Sequence, residues 1–113
     1  MRPQKIALRA VMFKSGNAWV GQCLEYDIAA QGKTPKDLFY QMERAIVGHM
    51  LIATENGLEP FQNIPSAPDR YRKMFEEGLK VEPPKDHVFT VAGLSSRPPT
   101  PEMRLSEPIL EPA

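Results

Sequence analysis

Residues 34–57, TPKDLFYQMERAIVGHMLIATENG, constrain this chain more than any other stretch. They hold a helix start, a long proline-free run and a helix stop. Thr34 is a good N-cap, Pro35 suits the first helical position, and Asp37 lies three residues after the cap. Thr-Pro-Lys-Asp is therefore a capping box with Asp in place of Glu. Asn56-Gly57 ends the run with residues that tolerate a left-handed backbone. The pattern predicts a helix from Pro35 to about Thr54.

The same stretch raises a competing reading, because Gly32-Lys33-Thr34 also closes a phosphate-binding loop. That loop requires G-x-x-x-x-G-K-[ST], so that successive backbone N–H groups wrap the phosphates. Its first glycine would fall at position 27, which is Asp27. A carboxylate there repels phosphate, and Pro35 removes an amide donor from the first turn. The motif reads as a helix start.

At about 100° per residue, Leu38, Met42, Ala45, Ile46, His49, Ile52 and Ala53 fall on one stripe, the expected sheet-facing side. Tyr40, Val47 and Leu51 cluster on the opposite side, with Met50 at its edge. Gly48 costs about 1 kcal/mol against alanine inside a helix, so close approach by another element would explain it. Full cover of Val47 and Leu51 is worth roughly 1.5–3 kcal/mol each. These five residues, Tyr40, Val47, Gly48, Met50 and Leu51, form the expected contact surface for a partner chain. Cover by the second helix or the tail of the same chain is the alternative.

Strand patterns precede the helix. Residues 4–14 read as a strand, Ser15-Gly16-Asn17 as a turn, and Ala18–Glu25 as a second strand, giving an antiparallel hairpin. Asp27–Gln31 reads as a short third strand ending at Gly32. After the helix, Phe61–Ile64 reads as an extended link or edge strand, and Ser66–Glu77 as a short helix with Tyr71, Met74 and Phe75 on one side. His87–Ala92 alternates and is an expected fourth strand. The expected fold is α+β, in the order β-β-β-α-(α)-β: an antiparallel three- to four-stranded sheet with its helices on one face. Seven of the 12 prolines lie in the last 31 residues. Residues 1–94 are accordingly read as the domain and 95–113 as a proline-rich extended tail.

Cys23-Leu24, Asp27-Ile28, Gln31-Gly32, Thr34, Leu38 and Ala45-Ile46, in this order and spacing, resemble the N-terminal domain of HicB-type antitoxins over about residues 5–65. The resemblance implies a partial ribonuclease-H-like fold, oligomer formation and binding of a small basic HicA-type ribonuclease toxin. Many members of that family add a C-terminal DNA-reading domain. A short helix and a proline-rich segment stand in that place here. An orphan oligomeric scaffold without a toxin partner is the second reading.

Composition narrows the chemistry. Lysine plus arginine equals aspartate plus glutamate, at 14 each, which argues against a general affinity for nucleic acid backbones. One cysteine permits neither an internal disulfide nor a zinc cluster. No apolar run reaches the roughly 20 residues of a membrane span, and the start of the chain lacks the long apolar segment of a signal peptide. A cytoplasmic protein is expected. Cys23 reads as a buried apolar residue, and His49 as a core or partly buried histidine. His87 has no partner motif. Glu25 and Asp27, two apart on a strand, could with Asp37 or Glu43 imitate a two-metal nuclease cluster. That residual nuclease is the third reading. Arg70, Arg72 and Lys73 are balanced by Glu76 and Glu77 and read as a solvated face. No catalytic residue, metal or cofactor is expected, and the chain is read as working through protein contacts.

Overall fold

A computed structural model describes residues 7–83 and 101–106. Strands β1 (Arg9–Ser15), β2 (Ala18–Cys23) and β3 (Ala29–Gly32) are followed by helix α1 (Pro35–Glu55), helix α2 (Asp69–Glu77), and strands β4 (Leu79–Val81) and β5 (Glu102–Leu105). They form one mixed α+β fold around a five-stranded sheet of order β3-β2-β1-β5-β4.

The hairpin forms as its turn chemistry requires. Ser15 pairs with Ala18, leaving Gly16-Asn17 as a two-residue loop. Gly16 adopts φ +60°, a conformation that costs glycine nothing. β3 then pairs antiparallel with β2, from Trp19 opposite Gly32 to Gln22 opposite Ala29. β2 stops at Cys23, two residues before the expected end, because the chain turns at 24–28, where the Ile28 N–H donates to the Tyr26 carbonyl at 2.7 Å.

The sheet is larger than expected and is not wholly antiparallel. β5 lies inside the segment read as a tail. It sits between β1 and β4, parallel to β1 and antiparallel to β4. Met103 is buried, and Glu102 and Ser106 donate backbone N–H groups to the Leu8 and Met12 carbonyls, each at 2.9 Å. Residues 101–106 therefore belong to the domain. The reading of 95–113 as a tail fails here because a four-residue strand takes its identity from its neighbours. The strand expected at His87–Ala92 lies outside the described residues, and β4 begins directly after α2.

Both sheet faces carry a helix, where one was expected to carry both. Along β1, side chains alternate between the faces. Ala10 and Met12 join Cys23, Leu38, Met42, Ile46, Met50 and Met103 in the α1-side core. Val11 and Phe13 join Leu24 and the Tyr71, Met74 and Phe75 side of α2. With Met12, Met42, Met50 and Met103 buried, the larger core rests on flexible thioether side chains that fill irregular gaps.

Candidate interaction surface

Helix α1 starts as the sequence indicates. The Thr34 hydroxyl accepts the Asp37 N–H at 3.0 Å, while the Asp37 carboxylate accepts the Lys33 N–H at 2.9 Å. The reciprocal bond of the box thus falls one residue before the cap. That backbone hydrogen bond is the main reason the Asp37 carboxyl is held below the usual range, with the Gln41 amide adding to it. The helix also seats closely on the sheet. A Cβ placed on Gly32 would lie 2.6 Å from the Leu38 nitrogen, and one on Gly21 would lie 2.8 Å from the Met42 sulfur.

The buried stripe of α1 is Leu38, Phe39, Met42, Glu43, Ile46, Val47, Met50 and Ala53. It is turned by roughly 70° from the expected one, at about 100° per residue. His49 is exposed and is not a core histidine. Ile52, placed on the sheet-facing stripe, is 60% exposed. Val47 and Met50, read as open to a partner, are covered within the single chain. Tyr40, Gly48 and Leu51 remain half-buried. Close approach does not explain Gly48, since a Cβ there would meet nothing within 4 Å.

The segment after the helix accounts for part of this turn. It folds back, so that the Asp27 N–H donates to the Pro65 carbonyl at 2.7 Å and the Ala67 N–H to the Leu24 carbonyl at 3.0 Å. This return carries Phe61 into the α1-side core, stacked on Tyr26 with ring centroids 4.7 Å apart. The segment is a pair of tight turns rather than a strand. Phe61 and Asn63 adopt φ +63° and +71°, values a bulky residue takes only when surrounding contacts compensate.

The carboxylates of the nuclease reading serve separate intrachain roles. Glu25 accepts the Arg9 backbone N–H at 2.7 Å and the Arg9 Nε at 2.6 Å. Asp27 accepts the Gln22 amide at 2.9 Å. Neither residue lies on a strand, so the shared face that the spacing suggested does not arise. Among the described residues, no group of three or more His, Cys, Asp or Glu side chains is placed to hold a metal ion. Cys23 is fully buried, and burial, with the nearby Glu25 charge, pushes its thiol up to about 12.

On the opposite face, the basic residues are also engaged. The Arg104 guanidinium lies 4.3 Å from the Phe75 ring centroid and that of Arg9 lies 5.6 Å from it. Arg104 further donates to the Phe75 carbonyl and to Glu102. Arg70 stacks on its neighbour Tyr71 at 4.8 Å, while Arg72 and Lys73 are exposed. Among the described residues, surface open to another molecule includes the side of α1 with Leu51 and Ile52 and the exposed Ala29 and Gln31 of the terminal strand β3. The sequence pointed to the helix side through its surplus of apolar residues.

Among the described residues, no helix is long and apolar enough to cross a membrane. No family model, curated protein or solved structure matches this chain.

Proposed function

We propose that the chain is a HicB-like protein-binding module that occludes a small, basic HicA-type ribonuclease toxin by surface complementarity. The observation that carries this reading is an arrangement: three antiparallel strands lead directly into a Thr34-capped helix that lies across β3 and β2. This is the order the resemblance implies for a partial ribonuclease-H-like domain. The arrangement leaves one side of α1, with Ile52 60% exposed, available to a partner. Occlusion needs no catalytic group, and the intrachain roles of Glu25 and Asp27 fit such a role.

The test is purification of the tagged full chain from native lysate, with intact-mass measurement of whatever co-elutes. The expected result is a small basic protein whose RNA cleavage stops when this chain is added back. Absence of any such protein, or a co-eluting protein with no ribonuclease activity, overturns the antitoxin reading. The orphan scaffold would then be the better account.

A further inference from the structure

The residues that stop α1 are also a reactive pair, and this holds whatever partner the chain binds. An asparagine side-chain amide is open to attack by the backbone nitrogen of the next residue. A glycine in that place presents its nitrogen with no side chain in the way. The chain has three asparagines, followed by Ala18, Gly57 and Ile64. All three are exposed, so exposure does not separate them. Only Asn56 precedes a glycine, and the β-branched Ile64 crowds its own nitrogen most.

The fold holds this pair in an unreactive pose. Asn56 has φ −100° and ψ 9°, which turns the Gly57 nitrogen away from the Asn56 side chain. The Asn56 side-chain amide donates to the Ile52 carbonyl at 2.8 Å. The Gly57 N–H donates to the Thr54 carbonyl at 3.2 Å, and the Leu58 N–H to the Ala53 carbonyl at 2.8 Å. These bonds lie at an exposed helix end, where the last turn opens more readily than the helix interior. Gly57 sits at φ +67°, so the backbone turn that ends the helix also favours the residue that makes the pair reactive. Directly beyond it runs the return that stacks Phe61 on Tyr26. That return is pinned by the bonds from the Asp27 N–H to Pro65 and from the Ala67 N–H to Leu24.

We propose that Asn56 is a site of spontaneous deamidation, locked by the folded end of α1 and released when that end opens, and that its isoaspartate product loosens the return over residues 58–67. The Gly57 nitrogen loses its proton to hydroxide and bonds to Asn56 Cγ. The Cγ–Nδ2 bond breaks, and the amide group takes a proton from water and leaves as ammonia. The five-membered succinimide then takes up one water. Opening at the Cγ carbonyl yields aspartate. Opening at the main-chain carbonyl yields isoaspartate, whose backbone runs through Cβ and is one carbon longer. No oxidant, reductant or cofactor enters. Either product replaces the donor to Ile52 with a carboxylate beside Glu55, at the negative end of the helix dipole. In isoaspartate the extra carbon also moves the Gly57 and Leu58 N–H groups out of register with Thr54 and Ala53. The return then loses its fixed starting point.

The experiment is incubation of the folded full chain in mildly alkaline buffer, in parallel with the chain in guanidinium chloride, followed by peptide mapping. Fragmentation places the mass gain of exchanging NH2 for OH, and reversed-phase chromatography separates aspartate from isoaspartate. Conversion is expected at Asn56, with Asn17 and Asn63 unchanged. It should run about tenfold or more faster in denaturant, where the cap bonds are gone. Gly57→Ala should suppress it in both conditions. Should that variant not fold, Asn56→Gln, whose longer side chain closes a larger ring, should suppress it equally. In the purified isoaspartate form, amide exchange at Asp27 and Ala67 should quicken while Leu38, bonded to Thr34 at the other end of α1, keeps its wild-type rate. The Asn56→Asp variant, with the same charge and a normal backbone, should show the smaller change. Asn56 that stays intact in the folded chain overturns the proposal. Equal rates in buffer and denaturant overturn the lock. Unchanged exchange at Asp27 and Ala67 in the isoaspartate form overturns the loosening.

Discussion

Three glycine-to-alanine substitutions form an internal scale for how α1 is seated. At Gly32, an added Cβ would lie 2.6 Å from the Leu38 nitrogen and 2.8 Å from its Cα. Both are backbone atoms of the helix's first turns, so no rotamer change relieves the clash. Reaching an ordinary contact would push that turn away by roughly 0.8 Å, and overpacking of this kind costs about 1–3 kcal/mol or more. Leu38 is fully buried, so the retreat also loosens its packing. Gly32→Ala should therefore cost about 3 kcal/mol. At Gly21 the nearest atom is the Met42 sulfur, at 2.8 Å, the end of a flexible side chain. Gly21→Ala should cost about 1 kcal/mol. At Gly48 the space is open, and alanine should gain about 1 kcal/mol from helix propensity alone. For a chain of this size, 1 kcal/mol moves the melting temperature by about 3–6 °C. The assay is thermal melting by circular dichroism for all three variants. A Gly32→Ala variant no worse than Gly21→Ala would refute this account of the seat. A destabilised Gly48→Ala monomer would show that something approaches the helix where the structure has open space.

Two further outcomes follow from burial. Cys23 holds its proton to about pH 12 in the folded chain, whereas an unfolded thiol ionises near pH 8.5. The folded state thus keeps a proton that the unfolded state loses, so stability should fall as pH rises through that window, and Cys23→Ala should flatten the decline in urea melts. The native thiol should resist alkylation at pH 8 and react promptly in denaturant; prompt native reaction would contradict its burial. On α1, Val47→Glu should destabilise by about 3 kcal/mol or more, because the covered site would have to hold a charge. Ile52→Glu, at a site 60% exposed, should stay within about 0.5 kcal/mol. Equal effects in urea melts would mean that the buried stripe is misplaced.

Local chemistry alone made part of this molecule legible. The Thr34 cap, the Pro35 start, the Asn56-Gly57 stop and the Gly16-Asn17 turn are each set by residues within a few positions of one another. So is the inward side of α2, because Tyr71, Met74 and Phe75 repeat at helical spacing. Which backbone groups of β3 face outward was not legible, because that depends on the pairing with β2. The exposed side of α1 was located with an error, since apolar residues surround most of the helix and no single direction stands out.

Sequence by itself therefore determined the limits of the long helix and the turn of the first hairpin, since capping, turn and propensity effects act over a few residues. Tertiary structure decided the rest. β5 is a strand because β1 and β4 flank it. α1 is rotated because Gly32 and Gly21 admit it closely and Phe61 returns against the same core. α2 takes the opposite face because alternate residues of β1 offer apolar surface on both sides. Each of these outcomes depends on contacts between residues distant in the chain, whose energies no short window contains.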